Sequence, residues 1–165
     1  AGFVKNGIRL ARAEPATELA WGSWSAQGPA ETGTFESLPI QKSRLPYLEI
    51  PVAGALGEQN LSLELVESST GRSISVKPRQ APGDKWLNCH VKAPSGEFKL
   101  VAHDTSKTSW FAFKAPRELG RLSYWSIQIA AAWRYLLFAG LGLFLFNLAK
   151  LCRRCPDPAQ RITTK

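Results

Sequence analysis

The chain has 165 residues, a hydrophobic fraction of 44% and a net charge of +8. This composition excludes a disordered chain and a polytopic membrane protein, and the length leaves room for one domain of ordinary size. The charge does not indicate a nucleic-acid-binding domain, because residues 1–116 carry only +2 and the remaining basic excess flanks one apolar stretch near the C-terminus.

Residues 1–33 are predicted to be an N-terminal extended segment followed by a surface loop. Pro15 argues against a long helix here, and the composition then shifts to Trp, Ser, Gly and Pro. The loop carries Trp21 and Trp24. These two residues are candidate surface-binding residues for a glycan, a partner protein or the membrane surface.

Residues 34–116 are predicted to be an extracytoplasmic antiparallel β-sandwich or jelly roll. Apolar and polar residues alternate along short stretches, and turns rich in Gly and Pro separate them. Trp86 and Trp110 fall inside predicted strands, so we expect them to pack in the core. The seven predicted strands are 34–40, 47–52, 61–67, 73–78, 85–92, 97–103 and 109–114.

The residues that could carry catalysis do not form a recognisable set. The sequence has no Gly-x-Ser-x-Gly turn for a serine nucleophile. His103 and Asp104 could pair as a base and its orienting carboxylate, but we expect both histidines, His90 and His103, to lie at the surface near strand ends. The acidic residues are expected mostly at solvent-facing strand positions: Glu64, Glu67 and Glu97. We therefore predict no enzyme activity and no cofactor.

The three cysteines do not predict an internal disulfide or a complete metal site. Cys89 stands alone in the outer domain and is expected to be a small core residue. Cys152 and Cys155 form a Cys-x-x-Cys pair, and two thiols fall short of the four ligands of a structural zinc site. Reduced thiols, acylation, or a metal shared with a second chain remain open for this pair.

Residues 127–151 are predicted to be a single transmembrane helix, reached through a short connector at 117–126. No formal charge occurs from 135 to 149, and a span needs roughly 20 mostly apolar residues. Apolar residues also occupy every side of this helix, which is unusual for a soluble domain. The predicted membrane-interface anchors are Trp125, Trp133, Arg134, Tyr135, Lys150, Arg153 and Arg154.

Small and polar residues within the predicted span indicate contact with another helix. Ala139, Gly140 and Gly142 would make a narrow face that a second helix could approach closely, and Asn147 could hydrogen-bond across it. The span contains no histidine, so the usual axial ligand for haem or a chlorophyll-type pigment is absent. We therefore predict other integral membrane subunits and the lipid bilayer as partners.

Residues 152–165 are predicted to be a basic cytoplasmic tail. The charges that follow the span place the C-terminus in the cytoplasm by the positive-inside rule. The chain starts at Ala1 and contains no methionine, so Ala1 is either the product of signal-peptide removal, which fits a domain outside the cytoplasm, or the edge of a longer sequence. Both observations predict a single-pass membrane protein with its N-terminal domain in the periplasm or otherwise outside the cytoplasm.

Several segments resemble the galactose-binding-like (discoidin-type) jelly rolls of bacterial envelope proteins. The resemblance covers roughly residues 21–116 and is a pattern of strands and turns. It implies a jelly-roll fold, an envelope location and carbohydrate binding, and it carries over no ligand residue. The segments that carry it are 24–25, 32–40, 48–53, 61–66, 99–104 and 110–113.

Two functions follow from these features. The first is a non-catalytic, single-span accessory subunit that packs on a larger membrane complex, such as a photosynthetic or respiratory assembly, with the β-sandwich as its interaction domain. The alternative is a membrane-tethered carbohydrate-binding module of the cell envelope. The alternative predicts that Trp21 and Trp24 are exposed and coplanar beside a polar cleft.

Overall fold

A computed structural model describes residues 2–6, 8, 19–25, 28 and 32–154, with only the backbone described for Arg134 and for residues 151–154. The chain divides into two compact units, Ala1–Tyr124 and Trp125–Lys165. The elements in chain order are β1 (Val4–Lys5), β2 (Ala20–Gly22), β3 (Gly33–Glu36), β4 (Tyr47–Gly54), β5 (Leu61–Glu67), β6 (Ser73–Ser75), β7 (Gly83–Lys92), β8 (Phe98–Asp104), β9 (Phe111–Lys114), β10 (Arg117–Leu119) and α1 (Arg121–Arg154).

The larger sheet is antiparallel and is centred on β4. β7 pairs along one side of β4, while β9 and β10 follow one another along the other side. β2 pairs with β9, and β1 pairs with β2. Ala115-Pro116 separates β9 from β10, and α1 follows β10 after Gly120.

The smaller sheet is also antiparallel, with the strand order β3-β8-β5-β6. β5 and β8 pair over their full lengths, from Leu61 opposite Asp104 to Glu67 opposite Phe98. All seven predicted strands occur in these two sheets, and the prediction of a mainly β, antiparallel sandwich is confirmed. β1, β2 and β10 are additional: the first two lie in the segment predicted as extended chain and loop, and β10 lies in the predicted connector.

The hydrophobic core lies between the two sheets. Alternate residues of each long strand point inward, so their burial follows the alternation in the sequence. Cys89 belongs to this core at 4% exposure, which confirms the prediction for it. The other buried members are Leu48, Ile50, Val52, Leu56, Phe111 and Phe113 on the side of the larger sheet, and Leu61, Leu63, Leu65, Val76, Phe98, Leu100 and Ala102 on the other.

The position of Glu67 differs from the prediction that it faces solvent. It is only 7% exposed, because it continues the inward-facing alternation of β5 to the end of the strand. The Thr70 hydroxyl donates a hydrogen bond to its carboxylate at 2.6 Å, and the Ser95 hydroxyl donates another at 3.0 Å. Glu67 thus joins two turns at one end of the smaller sheet and does not face solvent as predicted.

Gly54 ends β4 in a conformation that favours glycine, with φ at +84°. A Cβ atom at this position would collide with the carbonyl oxygen of Trp110 and lie 2.8 Å from the Cα of Phe111. The close approach of β9 to the end of β4 therefore requires glycine here.

α1 begins at Arg121, earlier than the predicted start of the span at residue 127. Its large apolar side chains from Leu136 to Leu148 are all at least 46% exposed. They include runs of consecutive residues, which point in every direction around a helix. Within the described helix, the second unit thus presents apolar surface on all sides.

The described chain does not show the predicted transmembrane helix at residues 127–151 as one spanning helix. No single straight helix in the described chain is long and apolar enough to cross a bilayer. Arg121–Trp133 and Tyr135–Lys150, bent by 51° with respect to one another, satisfy the length and composition requirement together.

Candidate functional site

Trp21 lies on the inner side of the larger sheet, where β2 continues past the edge of the main core. Its ring stacks on Phe113, with ring centroids 6.0 Å apart and an interplanar angle of 24°. The ring of Phe35 from the smaller sheet lies 5.6 Å away. These contacts half-bury Trp21 and fix the orientation of its indole ring between the two sheets.

An open cleft of 430 Å³ lies beside Trp21, a size that falls within the usual range for ligand sites. Its lining is mostly apolar and comes from both sheets. The residues that line it are Trp21, Phe35, Glu36, Ser37, Leu38, Pro39, Ile40, Leu100, Ala115 and Pro116. We call this the Trp21 cleft.

Two polar side chains of the Trp21 cleft, Ser37 and Glu36, already have partners. The Ser37 hydroxyl donates to the Leu38 carbonyl at 2.8 Å and accepts the backbone N–H of Leu100 at 2.9 Å. The Glu36 carboxylate accepts a hydrogen bond from the ammonium group of Lys99 at 2.7 Å. The cleft therefore offers a ligand mainly apolar contacts and few hydrogen bonds.

Leu38 extends the apolar surface of the cleft outward. Its side chain is 85% exposed and lies next to the apolar lining of the cleft. A second depression of 290 Å³ adjoins the cleft and shares Trp21, Ala115 and Pro116 with it. Trp21 thus stands between two adjoining depressions on one surface.

Trp24 lies on the opposite face of the larger sheet. Its ring packs edge-on against Trp110 with centroids 6.0 Å apart, and both belong to a separate cluster with Trp86 over Ala53 and Ala112. Trp21 and Trp24 therefore do not form the coplanar pair that sugar stacking on this loop would require, and each stays a separate candidate for surface binding.

Trp110 packs in this buried cluster, in agreement with the prediction that it is a core residue. Trp86 packs against the same cluster but is not buried in the main core. Trp110 is buried at 8% exposure. Trp86 is half-buried outside the main core, and the ammonium group of Lys114 lies 4.6 Å from the centroid of its ring, a cation–π contact. Asn88, exposed on the same strand, follows Trp86 on this face.

The two histidines occupy different surroundings. His90 lies on the outer face of the larger sheet, with its Nε2 atom 3.1 Å from the Glu49 carboxylate on β4. His103 is exposed, with its Nδ1 atom 3.1 Å from the Thr34 hydroxyl. Asp104 follows His103 but points inward, so the two side chains lie on opposite faces of the sheet and cannot form a base with its orienting carboxylate.

Asp104 is a fully buried carboxyl group at the end of β8. Its Oδ1 atom accepts the backbone N–H of Ser106 at 2.9 Å, while Oδ2 has no hydrogen-bond partner among the described residues. Burial raises the pKa of Asp104, and the nearby Ser23 side chain and the Ser106 backbone N–H only partly oppose this effect. No group of three metal-ligating side chains accompanies it in the described chain.

Burial also raises the pKa of the Cys89 thiol, to about 11. The thiolate is the reactive form of cysteine, so this shift makes Cys89 a poor nucleophile. Cys89 therefore contributes packing to the core and no chemistry to a site. Cys155 lies outside the described residues, as does the side chain of Cys152.

The described residues of α1 do not test the predicted contacts with another helix. Adding a Cβ atom at Gly140 or Gly142 would meet nothing within 4 Å beyond the helix itself. The Asn147 amide donates to the Leu143 carbonyl of its own helix at 2.8 Å. The contact face of Ala139, Gly140, Gly142 and Asn147 stays a prediction.

The predicted interface anchors are in part exposed. Trp125 is 57% exposed, Trp133 50% and Tyr135 78%. The Lys150 ammonium group lies 4.6 Å from the centroid of the Phe146 ring. The side chains of Arg134, Arg153 and Arg154 lie outside the described residues.

Sequence reasoning missed a contact at the start of α1. The rings of Tyr47 and Tyr124 stack with centroids 3.9 Å apart, and His90 approaches Tyr124 edge-on at 6.4 Å. No local pattern relates Tyr47 to Tyr124, because they are far apart in the sequence. Pairing of β10 with the start of β4 brings them together.

Comparisons with known proteins find similarity only among solved structures. No protein-family model matches the chain, and no curated protein matches it significantly. Among solved structures, the chain is similar to "TmCBM61 in complex with beta-1,4-galactotriose", at 17% identity and a TM-score of 0.41, over 69% of this chain and 83% of that one. A similarity at this level carries no argument about ligands.

Proposed function

We propose that this chain is a non-catalytic, single-span membrane subunit whose β-sandwich binds an apolar segment of a neighbouring membrane protein. The observation that carries the proposal is the apolar surface of α1, exposed around the whole helix from Leu136 to Leu148. Each such side chain gains about 1.5–3 kcal/mol when it leaves water. A lipid bilayer removes all of them from water at once.

The Trp21 cleft supports the choice of an apolar protein segment as the partner. Its walls are mostly apolar, its Ser37 and Glu36 side chains have internal partners, and Leu38 stands exposed beside it. A sugar would need several hydrogen-bond partners around the ring of Trp21. An apolar segment of another subunit would need only the surface that the cleft already offers.

The anchor is tested by membrane extraction of the full chain. We expect the wild type to stay with membranes through high salt and alkaline washing, and to need detergent for release. The Leu141→Arg/Phe144→Arg variant should lose this behaviour, because each arginine costs about 2.5–3.5 kcal/mol near the centre of a span. Leu38→Arg, which adds a charge to the sandwich, is the control and should remain membrane-bound. Release of the wild type without detergent would reject the anchor.

The proposed orientation has the sandwich outside the cytoplasm and the C-terminus inside. Alkaline phosphatase folds and acts only after export, so a fusion to Lys165 should be inactive and a fusion before the sandwich should be active. The reverse pattern would contradict the orientation and leave the anchor itself intact.

The partner is tested by mild-detergent extraction of the native membrane, followed by a native gel and mass spectrometry. We expect the chain to migrate in a larger complex that Leu38→Glu disrupts. Val4→Glu, at a side chain 39% exposed on β1 and outside the cleft, should leave the complex intact. A lone species near 18.2 kDa for the wild type would reject the subunit proposal.

A membrane-tethered carbohydrate-binding module is the second candidate. One observation favours it: half-buried Trp86 lies on the outer sheet face beside exposed Asn88 and the His90–Glu49 pair. Aromatic and polar side chains together can bind a sugar ring. Glycan-array binding that Trp86→Ala abolishes would favour this candidate, and the absence of binding to any glycan would remove it.

A further inference from the structure

Four basic residues lie on elements that meet at the end of the sandwich where α1 begins. Lys42 and Arg44 lie in the loop before β4, Lys92 ends β7, and Arg121 starts α1. All four are exposed. We call these four residues the basic collar.

Backbone pairing places the collar residues on neighbouring elements. Tyr47 pairs with Lys92 on one side and with Leu119 on the other, so the end of β7 and the end of β10 flank the start of β4. The backbone N–H of Arg44 donates to the Glu118 carboxylate at 2.6 Å, which holds the loop against β10. Glu118 is the exposed acidic residue among these contacts, and exposed Glu97 precedes β8 at the same end, so basic side chains outnumber acidic ones there among the described residues.

Apolar and aromatic side chains accompany the charges. Leu45 is 39% exposed in the same loop, and Leu122 is 88% exposed in the first turn of α1. Tyr47 and Tyr124 stack beside them. Basic, aromatic and apolar groups in one place match the chemistry of the lipid headgroup region, where cations meet phosphate and rings lie between water and hydrocarbon.

We propose that the basic collar binds anionic phospholipid headgroups and so holds the base of the sandwich at the bilayer surface. The proposal rests on the membrane anchor proposed above. Chain continuity supports the lipid as the occupant, because Arg121 and Leu122 lie within a few residues of the apolar stretch of α1. The collar would add a preference for anionic lipid to an attachment that the apolar helix already provides.

The test uses the full chain reconstituted in phosphatidylcholine vesicles that contain trace spin-labelled phosphatidylglycerol or spin-labelled phosphatidylcholine. We expect the protein to immobilise the anionic lipid more than the zwitterionic one, and salt to weaken this preference by screening. The neutralised variant Lys42→Gln/Arg44→Gln/Lys92→Gln/Arg121→Gln should immobilise both lipids equally.

The control variant neutralises three exposed lysines at the other end of the sandwich, Lys77→Gln/Lys85→Gln/Lys107→Gln, and should keep the preference. Equal immobilisation of both lipids by the wild type, or equal loss in both variants, would overturn the collar and leave an acidic protein segment as the alternative occupant. Vesicle flotation separates the two proposals: a chain that fails to float with any vesicle contradicts the anchor, whereas one that floats without lipid preference contradicts only the collar.

Discussion

Tyr47 and Tyr124 stack almost in parallel, with ring centroids 3.9 Å apart and an interplanar angle of 2°. Tyr47 begins β4 and Tyr124 lies in the first turns of α1, so the contact joins the central strand of the larger sheet to the start of the helix. The chain reaches α1 from β10 through Gly120 alone. The stack therefore restrains a junction that is already short.

We expect this stack to contribute about 1 kcal/mol beyond the area that the rings bury. A double-mutant cycle with Tyr47→Leu and Tyr124→Leu should measure it, because leucine keeps much of the apolar contact and removes the ring pair. The readout is the free energy of unfolding in detergent micelles. A coupling energy near zero would show that the two rings lie together without stabilising the junction.

Asp104 should make the protein less stable as the pH rises. Burial raises its pKa in the folded state above the ordinary value of 3.8, so the stability linked to its proton is present below 3.8 and is lost as the pH rises through the folded-state pKa. Asp104→Asn keeps an oxygen for the Ser106 N–H and carries no charge. We expect this variant to be more stable than the wild type at neutral pH, because it lacks the ionisation that weakens the wild type.

The measurement is the melting temperature of both proteins across the pH range. The difference should be small at low pH, where Asp104 is protonated, and should grow towards neutral pH. A difference that stays constant with pH would indicate that Asp104 is not the titrating group. A variant less stable than the wild type at neutral pH would mean that the carboxylate has a partner that asparagine cannot replace.

Glu67 should make the protein less stable as the pH falls, which is opposite to the effect of Asp104. Hydrogen bonds from Thr70 and Ser95 are the main causes that lower its pKa below the ordinary value of 4.5, so its contribution is present above 4.5 and is lost as the pH falls through the folded-state pKa. Glu67→Gln should lower the melting temperature at neutral pH and have a smaller effect in acid. Glu64→Gln, on the other face of β5, is the matched control and should change little at either pH.

Replacement of Gly54 should strongly destabilise the sandwich. Gly54→Ala combines an unfavourable positive φ with a collision against the Trp110 carbonyl, and we expect a loss of about 3 kcal/mol. Gly71→Ala is the control, because its φ is also positive at +67° but no atom lies within 4 Å of an added Cβ. It should lose only about 1 kcal/mol.

Chemical denaturation of the three proteins measures these losses. Similar losses for the two variants would show that the backbone conformation dominates at both sites. The close approach of β9 to Gly54 would then carry no separate penalty.

Local sequence pattern was enough to predict seven strands of the sandwich and the apolar helix, but not β1, β2 and β10. In β5 the alternation of apolar and polar residues reports directly which side chains point inward, because successive residues of a strand face opposite sides. The same rule places Glu67 inside, yet its charge led to the prediction of a solvent-facing position. The hydroxyls that satisfy its carboxylate lie in two turns, and one of them is distant in sequence.

The tertiary structure alone decided the candidate sites. Trp21 and Trp24 are three residues apart and both were candidates for one binding surface, but they lie on opposite faces of a sheet with different neighbours. The Trp21 cleft, the Tyr47–Tyr124 stack and the basic collar each combine residues from several strands or loops. Such contacts depend on which strands pair and in what register. Local composition and periodicity indicate which face of each element is apolar. They do not indicate which other element that face will pack against.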